Sequence, residues 1–229
     1  MLTIVGAGPG AEDLLTLRAI RKLQEADIVI TPSRLLNIVK KFAHNSEIVL
    51  LNPKNVRQQI LEIYGTYRNK NIVIVSSGDP LFSGIGKTVI DLGLECEIVP
   101  GISSIQAACA KVRTSWDNMI VLTLHEREHI ENRLKIIEKA ISLNNKIGIL
   151  TAPDYPPSYV LSLLTTITKK LNKKYRVYIC ENLTMSNEKI VKLEIPESST
   201  THIELGWNSV IIIEPSINRH SLLYNPVNL

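Results

Sequence analysis

The sequence predicts an α/β protein of two domains, residues 1–114 and 115–229. Three observations carry this. Up to Arg113, short β-rich runs alternate with helical patterns, the signature of parallel strands joined by covering helices. Beyond Arg113 the last strand-like runs follow one another without helices, which calls for a mixed sheet with antiparallel pairing. Several strands of the first half run straight into glycine-rich turns, at the carboxyl edge where open α/β sheets meet their ligands.

In order, Leu2–Val5, Asp27–Ile30, Glu47–Leu50, Ile72–Ser76 and Glu95–Val99 read as strands. Asp13–Gln24, Ser33–Phe42, Val56–Tyr67, Phe82–Leu92 and Ser103–Lys111 read as the helices between them. Right-handed crossovers are expected for such units. In the second half, Met119–Thr123 and Lys146–Leu150 flank a strong helical pattern over Ile130–Leu143. A further helix follows Pro157 and runs to about Lys170; the strands Arg176–Cys180, Glu188–Leu193 and Ser209–Glu214 complete the chain. Neither a repeat nor a flexible linker marks the junction.

Composition narrows the function classes. With 45% hydrophobic and 21% charged residues the chain can build ordinary globular cores. Its apolar runs are far shorter than the ~18–20 residues of a bilayer span, so no membrane partner is expected. The opening residues begin a strand and show no secretory leader pattern. Cys96, Cys109 and Cys180 are scattered and odd in number, offering neither a disulfide framework nor metal spacing. A cytoplasmic protein with reduced thiols and no metal site is the expectation. The net charge of +4 is mild, and its densest cluster, Lys169-Lys170 with Lys173-Lys174, suits a helix C-terminus. With aromatics at 5%, no nucleic-acid surface is expected, and the charge favours at most an anionic small molecule.

Three loops hold the chemistry. Gly6 to Ala11 read G-A-G-P-G-A, the dinucleotide fingerprint directly after a strand. The match fails in its context. The second strand ends in Thr31-Pro32 without the acidic residue that holds ribose hydroxyls, Pro9 removes a backbone donor, and Glu12 and Asp13 put negative charge where a pyrophosphate would sit. Residues 76–88, S-S-G-D-P-L-F-S-G-I-G-K-T, end like a phosphate-binding loop, but its first glycine would fall on Leu81. Gly78-Asp79-Pro80 stands out there, as a ligand contact or as a turn capping the next helix. The third loop, V-P-G-I-S-S-I-Q-A-A at 99–108, offers Ser103 or Ser104 as a helix cap. All three loops lie at carboxyl ends of strands in one sheet, so they are expected to line one crevice.

Together these loops resemble those of the tetrapyrrole methylase family: V-G-A-G-P-G-A-E-D-L-L-T-L-R-A, S-G-D-P-L-F-S-G and P-G-I-S-S, in that order. The resemblance covers essentially the whole chain. It implies a two-domain α/β fold, a homodimer, and S-adenosylmethionine bound in a cleft between the domains as methyl donor. L-T-L-H-E-R (122–127), G-I-L-T-A-P-D-Y-P-P-S (148–158) and C-E-N-L-T-M-S-N-E-K-I (180–190) are similar to the branch that methylates carbon 5 of a precorrin in cobalamin biosynthesis. That branch implies a stand-alone protein acting on cobalt-precorrin-7, with cobalt present only within the substrate and a separate carbon-15 methyltransferase/decarboxylase in the pathway. Glu126 departs from the glycine typical of the first motif. Members that methylate a modified translation-factor side chain (diphthine synthase) or ribosomal RNA share the fold but match the second-half motifs less well. A non-catalytic tetrapyrrole or nucleotide carrier would not need an intact donor cleft.

Carried over residue by residue, the resemblance places Pro9, Ser77, Gly78, Asp79 and Phe82 at the donor, followed by Ser103, Ser104 and Ile105 from the third loop. Leu150 and Leu183 join them through backbone groups. His125 and Arg127 become the candidates for gripping substrate carboxylates and for catalysis, although a His and an Arg after a strand are also ordinary surface residues. Either His125 or a substrate carboxylate could take the meso proton after transfer.

Overall fold

The computed structural model describes residues 1–125, 130–197, 205–206 and 208–216. It divides into two compact units, Met1–Ser115 with Asn182–Lys189, and Trp116–Glu181 with Ile190–Leu229. The first is built on a five-stranded sheet of β1 (Leu2–Gly6), β2 (Ile28–Thr31), β3 (Glu47–Leu50), β4 (Ile72–Ser76) and β5 (Glu97–Val99). The strands stand in the order β3-β2-β4-β1-β5, and every pair is parallel.

The apolar runs of these strands sort their side chains by size. Leu2 and Ile4, Ile28 and Ile30, and Ile72 and Ile74 enter one core with Ile60 of α3 (Val56–Thr66) and Val89 of α4 (Ile85–Asp91). The alternate positions Val5, Val29, Val73 and Val75 enter the other. There they meet Ala19 and Leu23 of α1 (Leu17–Gln24) and Val39 of α2 (Leu36–Phe42). Period-two alternation between two apolar classes is what a parallel sheet covered on both faces requires, and it explains why the strands read as continuous hydrophobic runs. The last helix, α5 (Ser104–Val112), follows β5.

Three helix starts differ from the sequence reading; one is α2, which begins at Leu36 after a 3-10 turn over Ser33–Leu35. Instead of one helix from Asp13, a single 3-10 turn spans Glu12–Leu14, Leu15 is extended, and Thr16 caps α1 by accepting the Ala19 N–H at 3.1 Å. Instead of beginning at Phe82, α4 begins at Ile85, because the preceding turn folds back on itself. Gly86 donates to the Pro80 carbonyl at 2.9 Å, and a side chain on Gly84 would strike the Asp79 carbonyl and Ser76 Oγ.

The second unit carries β6 (Met119–Thr123), α6 (Ile130–Ser142), β7 (Lys146–Leu150), α7 (Pro157–Lys170), β8 (Tyr175–Glu181), β9 (Lys189–Ile195) and β10 (Ser209–Pro215). Its five-stranded sheet runs β6-β7-β10-β8-β9 and is mixed: β6 and β7 are parallel, while β10 is antiparallel to both β7 and β8. Ile137 and Ile141 of α6, Val160, Leu161 and Leu164 of α7, and the inward residues of β7, β8 and β10 form its core. Buried Tyr175 donates its hydroxyl to the Ile141 carbonyl at 3.1 Å, and burial pushes its pKa up to about 12. At the C-terminus of α7 the lysine cluster is solvated and paired, Lys170 with Glu138, Lys174 with Glu197, and Lys173 with the Asn144 side chain. Among the described residues no helix is long and apolar enough to cross a membrane.

Candidate active site

Because β4, β1 and β5 are adjacent and parallel, their carboxyl ends lie side by side and deliver the three glycine loops to one place. The loops then touch through bare backbone. Ala7 donates to the Ser76 carbonyl at 2.8 Å, and Gly78 donates to the Gly8 carbonyl at 2.8 Å. A Cβ on Gly6 would come within 2.6 Å of Gly101 Cα and of the Gly78 carbonyl oxygen. Only glycine permits such an approach, so the spacing of these residues is a packing requirement as well as a motif. Gly8 and Gly78 also adopt positive φ, 72° and 62°, which lets their strands leave the sheet and pair as an isolated bridge.

Asp79 ties the second loop to the third. Its Oδ1 accepts the Leu81 N–H at 2.8 Å and its Oδ2 the Gly101 N–H at 3.2 Å. The carboxylate thus organises loops rather than capping α4, whose N-cap is Gly84. Ser103 caps α5 in a full capping box: its Oγ accepts the Gln106 N–H at 3.3 Å, and its own N–H donates to Gln106 Oε1 at 2.8 Å. That leaves the first-turn N–H groups of Ser104 and Ile105 without intrahelical acceptors. The Ile105 side chain is buried, so its backbone is what it can offer. Pro9, Ser77, Gly78, Asp79, Phe82, Ser103 and Ser104 are all half-buried along this edge.

The segment Asn182–Lys189, which the resemblance placed at the donor through Leu183, has an unexpected place in the fold. It follows β8 of the second unit yet belongs to the first, where it abuts the opening loop. Thr184 Oγ1 accepts the Ala11 N–H at 2.9 Å across 173 residues of sequence, and a side chain on Gly10 would meet the Leu183 carbonyl at 2.9 Å. Leu183 itself is buried. Asn182 and Thr184 hold positive φ, 50° and 66°. Glu188 pins that turn by accepting the Thr184 N–H at 2.6 Å and pairing with Lys111 of α5 at 2.9 Å. The backbone hydrogen bond from Thr184, then Lys111, holds the Glu188 carboxyl below its ordinary value. Its turn conformation matches the turn-forming residues of N-L-T-M-S-N.

In the second unit, β6, β7 and β8 all end at one edge of the sheet, because β10 runs antiparallel to both β7 and β8. The three motifs of the second half start from those ends. His125 is exposed just beyond β6, its N–H donating to Thr123 Oγ1 at 3.2 Å, with the same oxygen 3.4 Å from its Nδ1. Leu150 closes β7, and its carbonyl accepts the Leu124 N–H at 2.9 Å. Thr151 is buried and exchanges hydrogen bonds with Ser209, while Ala152 and Tyr155 close the T-A-P-D-Y turn. Arg127 and Glu126 lie outside the described residues. Among the described residues no cluster of three or more His, Cys, Asp or Glu could hold a metal ion.

The family model of tetrapyrrole (corrin/porphyrin) methylases matches residues 1–198. The chain belongs to this family. This tetrapyrrole methylase is 35% identical over 195 residues to the probable cobalt-precorrin-7 C(5)-methyltransferase of Methanocaldococcus jannaschii, covering 83% of this chain and 87% of the relative. It is 28% identical to the cobalt-precorrin-7 C(5)-methyltransferase of Salmonella typhimurium, covering 93% and 99%. Among solved structures, a precorrin-6Y methylase from Archaeoglobus fulgidus shares the fold with a TM-score of 0.67 at 24% identity, over 95% of this chain and 99% of that one. A uroporphyrin-III C-methyltransferase from Thermus thermophilus, complexed with S-adenosylhomocysteine, shares it with a TM-score of 0.71 at 19% identity, over 93% and 96%. The parallel sheet followed by a mixed sheet is therefore the tetrapyrrole methylase fold, and the dinucleotide and phosphate-loop readings of its glycines fall away.

Proposed function

We propose that this tetrapyrrole methylase transfers a methyl group from S-adenosylmethionine to carbon 5 of cobalt-precorrin-7 in cobalamin biosynthesis. The observation that carries the reading is the 35% identity, over 83% of the chain, to a relative named for that reaction. The locked arrangement of three backbone loops supports it, since displacement at a methyl group needs rigid positioning above all.

The donor supplies a methyl group activated by its sulfonium. The protein's part is placement. The loops around Pro9, Ser77, Gly78, Asp79 and Phe82, the first turn of α5 at Ser103, Ser104 and Ile105, and the backbone of Leu150 and Leu183 hold it. The electron pair comes from the meso carbon of the acceptor, which conjugation with ring nitrogens makes electron-rich. As the new C–C bond forms, the C–S bond breaks and the sulfur leaves with its electron pair as a neutral thioether. The proton on carbon 5 passes to His125 or to a carboxylate of the substrate. Arg127 holds substrate carboxylates through charge-assisted hydrogen bonds. Cobalt enters only inside the acceptor. The working form is a cytoplasmic homodimer, and a separate protein performs the carbon-15 methylation and decarboxylation.

Donor binding tests the reading. A ligand specific to the folded state, at a hundredfold excess over its dissociation constant, stabilises by about 2.7 kcal/mol. For a chain of this size that raises the melting temperature by roughly 5–10 °C. S-adenosylhomocysteine should give this shift and NADH should not. The reverse pattern overturns the proposal.

A further inference from the structure

The segment after β2 reads Thr31-Pro32-Ser33-Arg34-Leu35. Because β2 lies beside β4 and parallel to it, this segment leaves the sheet at the same edge as the loop carrying Asp79. Its backbone is fixed. Ser33–Leu35 form one 3-10 turn closed by the Leu35 N–H on the Pro32 carbonyl at 3.0 Å, and Leu35 is buried in the valine-side core. Arg34 thus extends from a rigid base, keeping solvent access.

Several other cations of the first unit already hold acidic partners. Arg18 and Lys22 share Glu97, Lys41 meets Glu12, Arg57 and Lys87 share Asp91, Lys70 meets Asp27, and Lys111 meets Glu188. Arg34 has no hydrogen bond, ion pair or ring contact among the described residues. Yet the chain crowds it enough that burial lowers its pKa. A guanidinium that has lost part of its water and has no counter-ion gains when an anion arrives. Its planar fork of N–H donors matches a carboxylate in bidentate fashion.

We propose that Arg34, standing unpaired beside the β4 loop at the carboxyl edge of the parallel sheet, is a specificity residue that grips a carboxylate of the acceptor macrocycle. This rests on the proposed function, which supplies an acceptor bearing carboxylate side chains. Arg34 acts on acceptor binding and leaves the donor alone.

The test uses the full chain with Arg34→Met and Arg34→Lys, and three readouts: KM and kcat for cobalt-precorrin-7, the dissociation constant of uroporphyrin III (an octacarboxylic macrocycle) by absorbance titration, and that of S-adenosylhomocysteine by calorimetry. Arg34→Met should raise the acceptor KM and the uroporphyrin dissociation constant roughly ten- to hundredfold, with kcat and donor affinity unchanged. Arg34→Lys should recover part of the loss, since the charge returns without the fork, and the defect should shrink as salt screens the contact. Unchanged macrocycle binding in Arg34→Met overturns the inference, and so does a parallel loss of donor affinity. Wild-type protein that fails to methylate cobalt-precorrin-7 strikes the proposed function instead, while the uroporphyrin titration still decides Arg34. Wild type that binds neither macrocycle overturns both.

Discussion

Replacing Gly101 by Ala should damage both the stability of the first unit and its binding of the methyl donor, through a single added carbon. A Cβ at Gly101 would lie 2.8 Å from Gly6 Cα and 2.9 Å from Gly6 C, and closer still to the Gly78 carbonyl oxygen. All three obstacles are backbone, so no side chain can rotate away, and the strand ends of β1 and β4 must part. Overpacking of this kind costs about 1–3 kcal/mol, and the absence of any soft neighbour places it near the top of that range. At roughly 2–4 °C per kcal/mol the melting temperature should fall by about 6–12 °C. S-adenosylhomocysteine should bind roughly tenfold more weakly or worse, because loops that no longer meet cannot present their groups together. Gly65→Ala is the control. A Cβ there would meet nothing within 4 Å beyond its chain neighbours and the helix's own backbone, and Gly65 sits in the last turn of α3, so the change should stabilise by about 0.5–1 kcal/mol. Differential scanning calorimetry reads the first effect and titration calorimetry the second. If Gly101→Ala melts and binds like the parent, the three loops do not meet as described.

Asp79 and Glu188 give further tests. Asp79→Ala frees the Leu81 and Gly101 N–H groups and should weaken S-adenosylhomocysteine binding, whereas Asp79→Asn keeps one acceptor and should fall between Ala and the parent in both melting temperature and affinity. For Glu188 the folded-state pKa is depressed from 4.5, so its contribution is present above the unfolded value and is lost as pH falls through the folded one. Glu188→Gln should therefore melt below the parent near neutral pH and converge with it in acid. A gap in melting temperature that stays constant from neutral pH to well below 4.5 would show that the Thr184 and Lys111 contacts do not depend on the charge.

Much of the fold was legible because local pattern and global packing agree. β-rich runs alternating with helical patterns announced a parallel sheet covered by helices, and strands without intervening helices announced the mixed sheet. The sequence left Ser103 and Ser104 open as the cap, and the capping box with Gln106 selects Ser103. The start of α4 was not legible, since the helical pattern after Phe82 hides a turn that Gly84 and Gly86 tighten on the Pro80 carbonyl. Asp79 could be read as ligand contact or cap, and its bond to Gly101 spans two strands that only the sheet order brings together. Thr184 on Ala11 was invisible for the same reason. A contact across 173 residues leaves no periodic trace in one chain. Arg34 escaped notice because a lone arginine after a strand resembles any surface cation until the sheet order sets it beside the Asp79 loop.

The most direct test is methyl transfer itself. Purified protein would be incubated with S-adenosylmethionine carrying a carbon-13 methyl group and with cobalt-precorrin-7, and the product examined by mass spectrometry and carbon-13 NMR. The account predicts one labelled methyl group per macrocycle, attached at carbon 5, with one S-adenosylhomocysteine released for each. Label on a different carbon would move this chain to another step of the family's chemistry. No transfer, under conditions where S-adenosylhomocysteine binds and the macrocycle is intact, would contradict the proposed function.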